Sequence, residues 1–296
     1  MASEELRTHD APSAAAVRRT DTATRLVRAL LMACHPVPSA AVTLLVTGLA
    51  VSVGRSAGGC ALVAGAVASG QLSVGWSNDA VDAARDAAVG RSAKPVASGT
   101  VPARLVRCAA LTALALCVPL SLASGPLAGA AHLAGVAAAW AYNLGLKATR
   151  WSWLPYAIGF ASLPVFVALS LPGGPWPPWW LVASGALLGV GAHLADVLPD
   201  IGDDLEAGVR GWPQRLGPGR VRLLLPVPLV AASALLILAA PGPVGAAGAV
   251  CLLGVGTAVI GAALLGRTRP RVPFGVAVGV AGMDVILLLW RGAGVS

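Results

Sequence analysis

The chain has 296 residues, of which 56% are hydrophobic and only 11% charged, with a mean hydropathy of +0.77. Soluble domains carry about 25% charged residues, so this composition excludes an ordinary soluble protein and identifies an integral membrane one. The net charge of +8 is spread over short loops, where topology and anionic lipid headgroups account for it, and gives no ground for nucleic acid as a partner.

Residues 1–24 are polar and mixed in charge, without the basic start and short apolar core of a signal peptide, and read as a flexible cytoplasmic tail. A bilayer core needs about 20 apolar residues per helix. Nine such runs follow, near 34–54, 58–77, 102–123, 126–146, 152–171, 178–198, 221–240, 243–265 and 273–290. The expected fold is therefore all-α: residues 25–296 form a polytopic membrane bundle of nine transmembrane helices. Loop charge gives its orientation, because basic loops stay in the cytoplasm. Nineteen of the 21 basic residues precede the first run or lie in the loops after the second, fourth, sixth and eighth or at the adjoining start of the next run; only Arg55 and Arg291 fall on the other side. The N-terminus and those four loops are expected to be cytoplasmic, in a bacterial plasma membrane. The 36 glycines suit close helix packing in lipid. Cys34, Cys60, Cys108, Cys117 and Cys251 have no metal-ligand spacing and read as small packing residues.

Two acidic stretches stand out against this apolar background. The first is Asn78-Asp79-Ala-Val-Asp82-Ala-Ala-Arg85-Asp86, and the second Asp196-Val-Leu-Pro-Asp200-Ile-Gly-Asp203-Asp204, followed by Glu206. In a helix, residues four apart advance by only about 40° around the axis. Asn78, Asp82 and Asp86 thus share a face that Asp79 borders, and Asp196, Asp200 and Asp204 repeat the pattern. Pro199 and Gly202 are expected to bend or unwind the second stretch. Charges at a membrane helix centre cost roughly 2.5–3.5 kcal/mol each on insertion scales, so a cation is expected to offset them. Magnesium prefers hard oxygen ligands and is usually held by one or two carboxylates, water and phosphate oxygens. Two facing carboxylate patches would make a platform for a metal-borne diphosphate. The two lysines, Lys94 and Lys147, lie in loops near these patches, where point charges can neutralise a leaving diphosphate or simply anchor the loops.

These residues resemble the UbiA superfamily of intramembrane prenyltransferases. NDAVDAARD is similar to the family's N-D-x-x-D-x-x-x-D motif, KPVASG to its Arg-Pro loop with lysine in place of arginine, and YNLGLK and DVLPDIGDD with GVRGWPQRLG follow in the family's order across 78–217. The resemblance implies a helical bundle with a central cavity under a cytoplasmic cap, open sideways to membrane lipid. It implies Mg2+ as cofactor, held by Asp79, Asp82, Asp86, Asp200, Asp204 and Asp196, although Asp196 stands four residues before Asp200 where the family's spacing is commonly three. It further implies diphosphate binding by Asn78, Arg91, Lys94, Tyr142, Lys147 and Arg150, with Asp79, Asp82 and Lys147 carrying catalysis.

The implied function is transfer of an isoprenoid chain from a prenyl diphosphate to a hydrophobic, aromatic acceptor. Metal and basic residues would stabilise charge on the departing diphosphate, a dry cavity would shield the allylic cation, and aromatic faces could stabilise it. Trp76, Trp140, Tyr142, Trp151, Trp153 and Phe160 are the candidates. His193 reads either as orienting the site or as a hydrogen-bonded helix residue, with His35 and His132 as weaker signals. Asp284, an ionisable group inside the last apolar run, reads either as a cavity residue or as a packed neutral carboxyl. A terpene cyclase on the same scaffold is the alternative, and a secondary transporter is the alternative of another class.

Overall fold

The computed structural model describes residues 14–91, 94–269 and 271–291. These form twelve α-helices and two single 3-10 turns, with no strand among the described residues. Of the expected tail, residues 1–13 lie outside the described residues, and 14–24 belong to helix α1 (Ala14–Ala33). Then come α2 (Pro36–Ser52), α3 (Ala57–Ala88), α4 (Ala103–Leu122), α5 (Pro126–Leu144), α6 (Leu154–Leu169) and α7 (Trp179–Val197), followed by α8 (Ile201–Glu206), α9 (Trp212–Leu224), α10 (Pro226–Leu238), α11 (Ala246–Leu265) and α12 (Val272–Arg291). Every expected apolar run contains a helix. Among the described residues, length and composition alone qualify four helices to cross a membrane, or up to six when each of two bent pairs counts as one span.

Local chemistry sets the ends. Proline opens α2, α5 and α6, where its missing N–H costs nothing, and Ser56 caps α3 by accepting from the Gly59 N–H. Gly145, at φ 146°, stops α5 in a conformation that side chains disfavour and turns the chain into a 3-10 turn, Leu146–Ala148. The α1–α2 pair bends by 63° at Cys34–His35, where His35 is the one non-glycine residue at positive φ among those described. Trp76 fastens this bend to α3 by donating its Nε1–H to the Leu30 carbonyl at 2.8 Å. At Gly75, α3 passes so close that a methyl group would overlap the Cys34 carbonyl oxygen.

One buried cluster joins α2, α3, α6, α7 and α10 through Leu49, Val63, Phe166, Trp180 and Leu236, and another joins α7, α9, α10, α11 and α12 through Leu194, Val221, Leu229, Val259 and Val280. Large apolar side chains such as Leu44, Leu253 and Ile286 point outward, as contact with lipid tails requires. Helices α2, α3, α5, α6, α7 and α12 enclose a cavity of about 390 Å³.

Candidate active site

The cavity has a polar mouth and apolar walls. Asn78, Asp82, Arg85, Arg91, Lys94, Tyr142, Lys147, Asp196, Asp200 and Asp204 all line it, so the two acidic stretches, more than a hundred residues apart in the chain, converge with both lysines. Val42, Leu45, Leu163 and Ala281 continue the lining away from the acids.

The first acidic stretch is regular helix within α3, and Asp79, Asp82 and Asp86 are each at most 4% exposed. Asp82 is clamped between two cations: Lys147 Nζ donates to its Oδ1, and Arg85 Nη2 stands 2.6 Å from its Oδ2. Lys94 Nζ lies 2.8 Å from Asp86 Oδ2 and 3.4 Å from Asp79 Oδ1. Asp79 and Asp86 therefore sit behind Lys94, outside the cavity lining. Asn78 donates to Asn143 Oδ1 at 3.0 Å and so ties α3 to α5.

The second stretch breaks as Pro199 requires: α7 ends at Val197, a 3-10 turn covers Leu198–Asp200, and α8 follows. Asp200 and Asp203 are exposed. Arg91 bridges the stretches, with Nη1 3.2 Å from Asp86 Oδ1 and Nη2 3.1 Å from Asp204 Oδ1. Gln214 donates to the other Asp204 oxygen at 2.8 Å. Asp196 is turned away from this network and accepts from the Tyr156 hydroxyl at 2.7 Å.

Lys147 owes its position to two glycines. Gly145 makes the turn, and Gly211 leaves room for the Lys147 carbonyl, which a methyl group there would overlap. Burial holds the Lys147 ammonium below the ordinary lysine range, an effect that Asp82 only partly offsets. Lys94 goes the other way: burial opposes its charge, but the bond to Asp86 and the negative field of Asp79 outweigh it and raise its pKa. Arg91 is likewise raised, the fields of Asp200 and Asp204 outweighing burial.

Some expected site residues lie elsewhere. Arg150 stacks 5.2 Å over the Trp151 ring and does not line the cavity. Among the aromatic candidates, Tyr142 and Phe160 line it, whereas Trp76, Trp140, Trp151 and Trp153 do not. Tyr156 and Arg85 are lining residues absent from the expected set, and His35 and His132, the weaker signals, line the cavity too. Tyr142 and Tyr156 meet edge to face at 5.2 Å, and His193 packs against both while sharing a 3.1 Å hydrogen bond with Ser152. His35 Nε2 stands 3.5 Å from Asp79 Oδ1. Asp284 is buried, accepts from Ser233 at 3.1 Å and lines a smaller apolar pocket of about 90 Å³, which shares Val42, Leu45, Phe160, Leu163, Leu188 and Ala281 with the main cavity.

Among the described residues no three acidic, histidine or cysteine side chains are close enough to hold a metal ion unaided. The donor set fits magnesium in a narrower sense. Asp82, Asp200 and Asp204 line the cavity, and behind Lys94 both Asp79 oxygens are buried and accept no hydrogen bond. That arrangement suits an ion that takes one or two carboxylates and completes its shell with water and phosphate oxygens.

The chain resembles known proteins over most of its length. It is 31% identical over 156 residues to the bacteriochlorophyll synthase 33 kDa chain of Cereibacter sphaeroides, an alignment spanning 50% of this chain and 50% of that protein. Its fold matches a UbiA homolog from Archaeoglobus fulgidus solved with DMAPP and Mg2+, at TM-score 0.68 and 18% identity over 90% of this chain and 98% of that one. It also matches the apo structure of a UbiA homolog from Aeropyrum pernix K1, at TM-score 0.65 and 21% identity over 83% of this chain and 97% of that one. The model of the UbiA prenyltransferase family matches residues 24–273, and the chain belongs to that family.

Proposed function

We propose that this protein is an intramembrane prenyltransferase that moves an isoprenoid chain from a prenyl diphosphate to a hydrophobic, aromatic acceptor through an allylic cation. The observation that carries this reading is the meeting of two acidic stretches and four basic side chains at the mouth of an apolar cavity. The Archaeoglobus homologs solved with DMAPP or GPP and Mg2+ support it by analogy of fold.

Asp79, Asp82 and Asp86 on one side and Asp200 and Asp204 on the other would hold magnesium. When bound, magnesium offsets charge on the diphosphate. Asp196, engaged by Tyr156, is the least suited of the set. Lys94, Lys147, Arg85 and Arg91 would turn towards the diphosphate oxygens as the allylic C–O bond breaks and its electron pair leaves with the diphosphate. The apolar walls exclude water from the cation, while the faces of Tyr142 and Phe160 stabilise it. The acceptor's π electrons then form the new C–C bond, and the acceptor loses a proton. Nine spans, a cytoplasmic cap made by the loops after α3, α5 and α7, lipid access from the side and a bacterial plasma membrane complete the reading. The transporter reading gains no support from acids gathered at the mouth rather than at mid-membrane.

The test is diphosphate release by purified protein from prenyl diphosphates of several lengths, with and without magnesium, followed by an acceptor screen with mass detection. Magnesium-dependent release with prenylated acceptors as products is expected. Cyclic hydrocarbons or alcohols formed without acceptor would replace the reading with a cyclase, and no release from any length would sink both.

A further inference from the structure

The inner part of the cavity holds two polar side chains that this chemistry does not use. Gln71 on α3 and His132 on α5 both line it, among Val42, Leu45, Leu163 and Ala281. On α3 the lining face runs Gln71, Val74, Gly75 and Asn78, so Gln71 lies about 10 Å deeper than Asn78 at about 1.5 Å per residue. Helices α3 and α5 run in the same direction, since Trp140 bonds Ser73 and Asn143 bonds Asn78. Helical side chains lean towards the N-terminus, which carries the Gln71 amide towards the level of Gly70. There, His132 Cε1 lies 3.4 Å from where a Gly70 Cβ would stand.

One ring nitrogen of His132 is already engaged. Ser121 has one hydroxyl hydrogen and gives it to the Cys117 carbonyl at 2.6 Å. The same oxygen lies 2.8 Å from His132 Nδ1, so Ser121 engages Nδ1 and leaves Nε2 for the cavity. Phe166 stacks on the ring at 4.7 Å and 21° and holds its plane. Neither Nε2 nor the Gln71 amide makes a hydrogen bond among the described residues. Both residues line the cavity, where an isoprenoid tail would displace water and offer these groups no partner. A hydroxyl can give one hydrogen bond and accept another, and so can pair with Nε2 and with the Gln71 amide, which has both a donor and an acceptor.

We propose that Gln71 and His132 form a subsite for a hydroxyl group of the second substrate, an alcohol or phenol whose hydroxyl lies at the end remote from the alkylated atom. The inference rests on the prenyltransferase reading only in taking that ligand to be the acceptor. The test is binding of hexylphenol and of its methyl ether to detergent-solubilised protein, followed by tryptophan fluorescence, in wild type, Gln71→Leu and His132→Phe. Wild type is expected to bind the phenol roughly tenfold more tightly than the ether, and both variants to lose that preference. Equal binding of the two by wild type, binding of neither, or a preference kept in Gln71→Leu would overturn the subsite. Gln71→Leu decides the matter if His132→Phe fails to fold, because Gln71 has no hydrogen bond to lose. Magnesium-dependent diphosphate release by wild type tests the reading separately: phenol preference without release would leave the subsite standing and sink the reading.

Discussion

The two acidic stretches meet at one cavity with different architecture. The first is regular helix whose carboxylates are buried and paired, Asp82 with two cations at once. The second is a broken helix whose carboxylates are more open, with Asp203 62% exposed and Asp204 14% exposed. A buried charge is held by its partners and punishes their loss, whereas an exposed one can be removed with water as the substitute. The first stretch should therefore couple stability to chemistry, and the second should serve chemistry alone.

The largest expected effect is that of Asp82→Ala. It strands Arg85 and Lys147, so the protein should lose about 3–5 kcal/mol and melt earlier in detergent, with diphosphate release down about a thousandfold. A variant that melted with wild type would break the contrast. Asp200→Ala should lower release by about a hundredfold while leaving the melting temperature in place; a large drop in melting would mean that the second stretch is structural after all. Gly211→Ala sharpens the picture from the side of Lys147. By pushing its carbonyl it should cost about tenfold in turnover, more in kcat than in KM. Smallest of all is Asp203→Asn: its carboxylate lies 3.7 Å from Arg91 Nε and is well solvated, so release should stay within about twofold of wild type. A tenfold loss there would move Asp203 into the site.

Much of this was legible in the sequence because helical spacing is local. Asn78, Asp82 and Asp86 share a face in the structure as their four-residue step requires, and Pro199 marks where the second stretch leaves the α-helix. Arg85 was within reach as well, since it follows Asp82 by three residues on the same turn. Tyr156 left a fainter trace: the chain has only two tyrosines, and both line the cavity. Other contacts depend on how distant helices cross, and no local spacing encodes them. His35 reaches Asp79 because a 63° bend carries it there, and Asp196 finds Tyr156 on another helix 40 residues away. Arg150 sits beside Lys147 in the turn region yet faces Trp151 instead of the cavity, because the turn after Gly145 points only one of the two inward.

Arg91 reaches from Asp86 to Asp204, and Lys94 from Asp79 to Asp86. The carboxylates thus carry counter-ions that belong to the chain itself. In the proposed reaction, binding becomes a double exchange, with guanidinium and ammonium groups passing from carboxylate to phosphate while the carboxylates pass to the metal. Metal alone would displace these cations without giving them an anion, and diphosphate alone would take the cations and leave bare carboxylates. In that reaction each ligand would complete the exchange for the other, so their binding would be mutually cooperative and either one arriving without its partner would be disfavoured.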